Sequence, residues 1–203
     1  MEVSFVVSAY EPSQYPPPHL PEVAFAGKSN VGKSSLINKL VNRRNLAITS
    51  AKPGRTRSIN FFMAAKAVYL VDLPGYGFAR VPKAVKKSWK NMVESYLESR
   101  PNLKGVILIL DIRRNPDPDD LSLFGWLKHH GIPVVTVLTK ADKVSRQKVL
   151  NRVSETRRIL NDLIELEPIA FSARTGTGRA QLWEQIEDLV GYLPSIPPQV
   201  RMP

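Results

Sequence analysis

The stretch from Ala24 to Leu40, AFAGKSNVGKSSLINKL, begins with apolar residues, passes through glycine, lysine and serine, and ends in a helical pattern. It contains the pattern G-x-x-x-x-G-K-[ST], which is typical of a loop whose backbone N–H groups surround a phosphate chain. The glycines allow close approach, and the N-terminus of the following helix adds a partial positive charge. The stretch therefore predicts a phosphate-binding loop made of Gly27, Lys28, Ser29, Asn30, Val31, Gly32, Lys33, Ser34 and Ser35.

A glycine turn with a surface lysine is the alternative interpretation of this stretch. A short apolar strand precedes the loop and helical periodicity follows it, and this context favours the phosphate loop. In such a loop, Lys33 reaches the β- and γ-phosphates of a nucleotide, and the Ser34 hydroxyl binds Mg²⁺.

Length and composition exclude several classes of protein. The 203 residues suit one domain, and no stretch approaches the ~20 apolar residues of a membrane span. Cysteine is absent, which excludes disulfides, thiolate metal sites, cysteine catalysis and lipid anchors on cysteine. Glu2 excludes N-myristoylation. We expect a cytoplasmic protein with no membrane partner.

The net charge of +11 is concentrated in the first half of the chain. Between Glu22 and Glu94 there are fourteen Lys and Arg residues and one acidic residue, Asp72, so this stretch carries +13 and the rest of the chain −2. A solvated basic face is one explanation. The one-sided distribution favours a polyanionic partner, and RNA is the obvious candidate.

Strands and helices alternate from residue 22 onward, and near-continuous apolar strands such as GVILILDI indicate burial on both faces. We predict an α/β fold: a mainly parallel six-stranded sheet with one antiparallel edge strand and helices on both faces. Strands are expected at 22–26, 58–64, 67–72, 104–111, 132–138 and 166–171, and helices at 33–42, 82–99, 117–130, 144–162 and 178–192. Residues 1–21 are assigned to an N-terminal extension, 22–192 to the domain and 193–203 to a short tail.

Three groups of residues are interpreted as structural. Asp117 to Asp120 resembles a metal site, but Asp117 as N-cap with Pro118 at the first helical position explains it better. His129 and His130 precede a glycine at a helix end, where the dipole favours positive charge. The three tryptophans are assigned to core or partner-facing positions on helices; they are Trp89, Trp126 and Trp183.

Four further short motifs follow the phosphate loop, and three of them come at the ends of predicted strands. Asp72 would hold Mg²⁺ and the Gly75 N–H would meet the γ-phosphate, while Thr56 would complete the Mg²⁺ shell. The Asp142 carboxylate can accept from both N1–H and the 2-amino group of guanine, which adenine cannot match. The motifs are Gly54, Arg55, Thr56, Arg57 and Ser58; Asp72, Leu73, Pro74 and Gly75; Thr139, Lys140, Ala141 and Asp142; and Phe171, Ser172 and Ala173.

Together the five motifs resemble the P-loop G domain of translation-factor-class GTPases. The runs PEVAFAGKSNVGKSSLIN, KPGRTRSINFF, VDLPGYGFA, TKADK and FSARTGTG are similar to the EngB (YihA, YsxC) family in the TrmE-Era-EngA-EngB-septin-like superfamily. The resemblance implies a single G domain that binds GTP or GDP with Mg²⁺ and assists maturation of the large ribosomal subunit. It also implies a Lys140 stem over the base and a backbone N–H of the Phe171–Ala173 segment at guanine O6.

Slow intrinsic hydrolysis is expected, because Tyr76 stands where signalling GTPases place a glutamine that orients the attacking water. In related GTPases the asparagine corresponding to Asn30 helps to bind K⁺ beside the phosphates. We therefore assign catalysis to Lys33, Asn30 and Thr56, with Arg55 or Arg57 acting in cis as an alternative.

We predict a GTP-dependent switch that binds ribosomal RNA or precursors of the large subunit, and we expect a monomer that does not bind DNA. A Ras-like protein-signalling switch and an RNA-binding protein with GTP as a structural ligand are the alternatives. The RNA contact is assigned to basic residues around the switch loops: Arg43, Arg44, Arg55, Arg57, Arg80, Lys83, Lys86, Lys87 and Lys90.

Overall fold

A computed structural model describes residues 1–43, 46–47, 58–76 and 83–191, and for residues 83–89 it describes the backbone alone. Within these ranges, seven strands form one sheet in the order β1-β3-β4-β2-β5-β6-β7. The strands are β1 Val3–Ala9, β2 Glu22–Gly27, β3 Ile59–Ala64, β4 Val68–Asp72, β5 Leu103–Asp111, β6 Val134–Thr139 and β7 Ile169–Ala170. The pairs from β4 across to β7 are all parallel.

The α/β class and the antiparallel edge are confirmed, but the predicted number of six strands is too low by one. β1 pairs antiparallel with β3, from Val3 opposite Ala64 to Ala9 opposite Ile59, and β3 pairs antiparallel with β4. The first apolar stretch of the chain therefore extends the sheet, and the antiparallel edge contains two strands. The Phe5 ring meets Phe62 edge-on, with 5.9 Å between ring centroids.

Among the described residues, five α-helices cover both faces of the sheet, as predicted. They are α1 Lys33–Leu40, α2 Lys83–Ser99, α3 Pro118–His129, α4 Arg146–Leu160 and α5 Arg179–Val190. α1 and α5 bury residues such as Leu36 and Trp183 against one face. α2, α3 and α4 bury residues such as Tyr96, Phe124 and Leu160 against the other. Successive strand residues such as Val23 and Ala24 fall into opposite clusters, which is the alternation expected of a strand buried on both sides.

The N-terminal end of β2 carries a buried ion pair. The Glu22 carboxylate pairs with the Arg100 guanidinium and accepts a hydrogen bond from the Tyr96 hydroxyl at 2.8 Å. Arg100 also donates to the Pro16 carbonyl at 3.0 Å and lies 5.5 Å from the centre of the Tyr15 ring. The N-terminal segment is therefore fixed to the domain, and its boundary at residue 21 stays a prediction.

The residues interpreted as structural behave as predicted where they are described. The Asp117 side chain accepts from the Asp119 and Asp120 N–H groups and forms a capping box at the start of α3. His130 ends α3 and stacks on Trp126, and Trp183 is buried. The Trp89 side chain lies outside the description. Within the described part of the chain, no helix has the length and apolar character needed to cross a bilayer.

Candidate functional site

The described motifs meet at one edge of the sheet. The loop after Gly27 follows β2, Asp72 ends β4, Thr139 ends β6 and Phe171 follows β7. Because these four strands are parallel, their carboxyl ends lie along the same edge, where α/β folds bind phosphate ligands.

The loop after β2 has the backbone shape that its glycines predict. Gly32 has φ +104° and is the N-cap of α1, and Asn30 also has a positive φ of 65°. A Cβ on Gly27 would lie 2.8 Å from the Ile109 carbonyl oxygen on the neighbouring strand β5. Gly27 is therefore required for β2 and β5 to pack closely, and Gly32 for the left-handed turn into the helix.

The structure brings Lys33 and Asp72 together. The Lys33 ammonium forms an ion pair with the Asp72 carboxylate, and both side chains are at least nine-tenths buried. Ser34, the next residue of α1, is partly exposed. One carboxylate, one hydroxyl and the oxygens of a phosphate chain are the ligands that Mg²⁺ prefers, so Ser34 and Asp72 fit this ion.

The segment after β4 lies directly on the phosphate loop. The Ser29 N–H donates to the Tyr76 carbonyl at 3.2 Å, and the Tyr76 N–H donates to the Gly27 carbonyl at 3.3 Å. A Cβ on Gly75 would lie 2.9 Å from the Ser29 hydroxyl oxygen, so only glycine allows this approach. Leu73 is buried, and Pro74 lies between it and Gly75.

The segment after β6 is also tied to the phosphate loop. The Thr139 hydroxyl donates to the Val31 carbonyl, and the Lys140 ammonium donates to the Asn30 carbonyl at 2.6 Å. Lys140 has a positive φ of 63°, which turns the chain into the short helical turn beginning at Ala141. Lys140 therefore helps to fix the predicted phosphate loop.

Asp142 is held by the last motif, Phe171 to Ala173. The Ser172 hydroxyl donates to the Asp142 carboxylate at 2.8 Å, and the Ala141 N–H donates to the Phe171 carbonyl at 3.1 Å. The hydrogen bond from Ser172 holds the pKa of Asp142 below its ordinary value. Asp142 is therefore ionised at neutral pH and can act as an acceptor, which is the role assigned to it.

Asp111, the last residue of β5, was not predicted from the sequence as a site residue. Its carboxylate accepts from the Lys140 ammonium at 2.8 Å and from two guanidinium nitrogens of Arg113, at 2.9 and 2.7 Å. Burial alone would raise the pKa of Asp111, but the hydrogen bonds from Arg113 and Lys140 hold it below its ordinary value. Its position at the end of an apolar strand, like that of Asp72, is the signal that could have identified it.

Lys28 and the start of α3 form a second contact that the sequence did not indicate. The Lys28 ammonium pairs with the Asp117 carboxylate and lies 3.7 Å from Asp120. Burial acts to raise the pKa of Asp117, but the hydrogen bond from Lys28 keeps it below its ordinary value. The acidic helix start is a cap, as predicted, and it also holds the phosphate loop.

Part of the predicted site lies outside the described residues: Gly54, Arg55, Thr56 and Arg57, together with Arg44 and Arg80. Ser58 is described, and its buried hydroxyl donates to the Asn60 side chain at 3.2 Å. Among the predicted RNA-binding residues, Arg43 and Lys90 are exposed. The side chains of Lys83, Lys86 and Lys87 are outside the description.

A glycine loop leading into a helix, with a lysine and a carboxylate beside it and a second carboxylate at a neighbouring strand end, defines a P-loop nucleotide-binding protein. A family model described as 50S ribosome-binding GTPase matches residues 22–140. A probable GTP-binding protein EngB of Geobacter metallireducens is 54% identical over 183 residues, covering 90% of this chain and 89% of that protein. The EngB protein of Bacillus subtilis is 45% identical over 185 residues, covering 91% and 95%. The chain belongs to the EngB family of GTP-binding proteins, which are GTP hydrolases.

Solved structures agree with this assignment. A crystal structure of a probable GTP-binding protein EngB superposes with a TM-score of 0.66 and 28% identity, covering 83% of this chain and 98% of that one. Era in complex with MgGDPNP and nucleotides 1506–1542 of 16S ribosomal RNA has a TM-score of 0.69 and 23% identity, covering 89% and 60%. The Era structure, at 23% identity, supports the fold alone.

The close packing at Gly27 makes a testable prediction. Gly27→Ala should lower the free energy of unfolding by about 1–3 kcal/mol, because the added methyl group would press against the Ile109 backbone. Gly125→Ala in α3 is the matched control, since nothing lies within 4 Å of its Cβ position. It should stabilise by about 1 kcal/mol through helix propensity. Chemical denaturation measures both, and equal effects of the two changes would contradict the packing argument.

Proposed function

We propose that this chain is a GTP-binding switch that acts in assembly of the large ribosomal subunit by binding ribosomal RNA or precursor particles. The observation that carries the proposal is the meeting of three parts at one sheet edge: the phosphate loop, the Lys33–Asp72 pair and the Asp142–Ser172 pair. The description of the matching family, 50S ribosome-binding GTPase, supports the choice of partner. That Era binds ribosomal RNA supports it further, as a property of Era.

On the phosphate side, the proposed roles belong to the loop and to Asp72. Lys33 and the backbone N–H groups of residues 27–35 bind the phosphates, and the Gly75 N–H binds the γ-phosphate. Ser34 and Asp72 hold Mg²⁺, and Thr56 completes its shell when GTP is bound. The ion neutralises charge on the phosphate oxygens when bound.

On the base side, Asp142 is the proposed recognition residue. Ionised Asp142 accepts from the two adjacent guanine donors, and its hydrogen bond from Ser172 fixes the direction of the carboxylate. Lys140 covers the base with its stem, and a backbone N–H in the Phe171–Ala173 segment meets O6. The ammonium of Lys140, bound to the Asn30 carbonyl, connects the base side to the phosphate side.

Asp142→Asn tests base recognition. The amide sets a donor against one guanine donor, which costs ~1–3 kcal/mol, and the loss of a charge-assisted bond adds to this. We expect at least a tenfold loss of GTP affinity and a gain for XTP, whose 2-oxo group accepts from the new amide. Competition binding with GTP, ATP and XTP measures the preference. Wild-type protein that binds ATP as well as GTP, or a variant with an unaltered preference, would overturn the assignment.

The residue at position 76 is not one that can orient the water that attacks the γ-phosphate. Tyrosine has no amide with which to orient a water beside the γ-phosphate. The Tyr76 side chain is buried, and its hydroxyl donates to Asp120. We propose that K⁺ bound with the help of Asn30 supplies positive charge there. The exposed position and positive φ of Asn30 put this residue on the outer side of the loop, with its carbonyl fixed by Lys140.

Replacing Na⁺ by K⁺ at constant ionic strength should raise the rate of GTP hydrolysis, and Asn30→Ala should abolish the difference. The rate of phosphate release in both salts, with GTP affinity measured in parallel, separates a catalytic effect from a binding effect. If wild-type protein hydrolyses GTP equally fast in both salts, K⁺ has no role and Arg55, Arg57 or a partner residue becomes the candidate.

The RNA contact is proposed for the nine basic residues around the switch loops that the sequence predicts for it, Lys83 and Lys90 among them. The nucleotide-binding edge carries the phosphate loop and the start of α2, and the sequence between Glu22 and Glu94 carries +13. A surface of this charge attracts the phosphate backbone of RNA, and its affinity falls with added salt because counterions are released. The exposed residues Arg43 and Lys90 are available for such a contact.

Replacing Lys83, Lys86 and Lys87 together by Glu should weaken association with large-subunit particles and flatten its salt dependence, with GTP affinity nearly unchanged. The matched control replaces Lys66, Lys104 and Arg158, which are exposed and occupy the opposite edge of the sheet. This control has the same change in net charge and should associate like the wild type. Sedimentation at several salt concentrations measures both, and equal losses would show a non-specific charge effect.

A further inference from the structure

The segment that follows β4 occupies hydrogen-bonding groups that a nucleotide also needs. The Ser29 N–H, in the phosphate loop, donates to the Tyr76 carbonyl, and the Lys33 ammonium pairs with Asp72. In a phosphate loop, backbone N–H groups and the lysine are the donors to the phosphate chain. We call this state, in which Gly75 and Tyr76 lie on the phosphate loop, the docked arrangement.

The docked arrangement is anchored from the other side by α3. The Tyr76 side chain is 6% exposed, and its hydroxyl donates to Asp120 Oδ1 at 2.9 Å. Asp120 is itself fixed, because its Oδ2 accepts from the Asp117 N–H at 3.0 Å and lies 3.7 Å from the Lys28 ammonium. Tyr76 is therefore held by the loop through its backbone and by the helix start through its hydroxyl.

The docked arrangement leaves one polar group unsatisfied. The Ser29 hydroxyl is buried and has no hydrogen-bond partner among the residues that the structure describes. It lies beneath Gly75, whose Cβ position would be 2.9 Å away. A buried hydroxyl without a partner carries a free-energy cost. The hydrogen bond between Tyr76 and Asp120 offsets part of that cost and so helps to hold the segment docked.

We propose that Tyr76 and Asp120 are positioning residues that set the discrimination between GTP and GDP. Their hydrogen bond holds Gly75 in the docked arrangement, and the γ-phosphate of GTP must displace this arrangement to reach the Gly75 N–H. GDP replaces Asp72 at Lys33 through its β-phosphate, but it has no γ-phosphate and so leaves the Tyr76 contacts in place. The inference rests on the guanine nucleotide site proposed above and assigns to α3 a part in reading the nucleotide state.

Tyr76→Phe is the direct test, because it removes the hydroxyl and keeps the ring. Calorimetry with Mg²⁺ measures the affinities for GDP and for a non-hydrolysable GTP analogue. The variant loses the hydrogen bond to Asp120, which exists only in the docked arrangement, so displacing that arrangement costs less. The ratio of analogue affinity to GDP affinity should therefore rise about tenfold. GDP affinity itself should stay within about twofold of the wild type.

Tyr96→Phe is the matched control. Its hydroxyl donates to the Glu22 carboxylate at 2.8 Å in a buried site at the opposite edge of the sheet, so the change removes the same kind of bond. It should lower thermal stability without altering the nucleotide ratio. Asp120→Asn should move the ratio in the same direction as Tyr76→Phe. The double variant should move it no further than the larger single change, because both disrupt one hydrogen bond.

The outcomes distinguish a failure of the inference on Tyr76 and Asp120 from a failure of the proposed function. A ratio that is unchanged or lower in Tyr76→Phe, with wild-type protein binding both nucleotides, overturns the inference and leaves the nucleotide site intact. An equal rise in Tyr96→Phe overturns it too, since the effect would then follow stability. Wild-type protein that binds neither nucleotide would overturn the proposed function itself.

Discussion

The buried ion pair between Lys33 and Asp72 is the contact on which the arrangement of the site depends. Two buried charges must be compensated by each other or by new ligands, because either one alone in the interior is strongly unfavourable. The pair joins the first residue of α1 to the last residue of β4, and so places the phosphate loop against the segment that carries Gly75. In the proposed site, a nucleotide with Mg²⁺ would offer each partner a replacement, phosphate oxygens for Lys33 and the cation for Asp72. The pair is thus a stable arrangement that a ligand can replace without leaving a charge buried alone.

The base side of the site is built from the same loop by a second set of contacts. Lys140 binds the Asn30 carbonyl and Asp111, Thr139 binds the Val31 carbonyl, and all of these residues belong to strand ends or to the loop itself. These hydrogen bonds from Thr139 and Lys140 therefore restrict movement of the phosphate loop. The segment at Tyr76 is attached to the loop through its backbone and to α3 through its hydroxyl. A response to the γ-phosphate is expected at Gly75 and Tyr76 because the Gly75 N–H is the group proposed to meet that phosphate.

Most of the fold followed from local patterns in the sequence. Apolar runs such as GVILILD identified buried strands, and Gly27 and Gly32 identified the loop because their backbone positions exclude or disfavour other residues. β1 was missed as a strand because an edge strand buries little: Phe5 and Val6 are exposed, so the pattern lacks the continuous burial of the inner strands. The 166–171 strand is reduced to Ile169–Ala170 for a related reason, since pairing to β6 alone at the sheet edge fixes few residues.

The contacts between motifs could not be obtained from the sequence, because they join residues far apart in the chain. Strand order placed Asp142 and Ser172 at the same sheet edge but did not indicate their hydrogen bond. The contacts of Tyr76 with Asp120 and of Lys28 with Asp117 depend on where α3 begins relative to the loop. A capping motif explains the aspartates of α3 locally, and nothing in the motif indicates a second role. The residues at positions 54–57 complete the predicted site and rest on the sequence alone.

The central claim is that the nucleotide state controls association with the ribosomal large subunit. The most direct measurement is sedimentation of the wild-type protein with purified large and small subunits, in GDP and in a non-hydrolysable GTP analogue, at one salt concentration. The account predicts that binding to large subunits is at least several-fold stronger with the GTP analogue, and that small subunits retain little protein in either nucleotide. Equal binding in both nucleotides, or equal binding to both subunits, would contradict it.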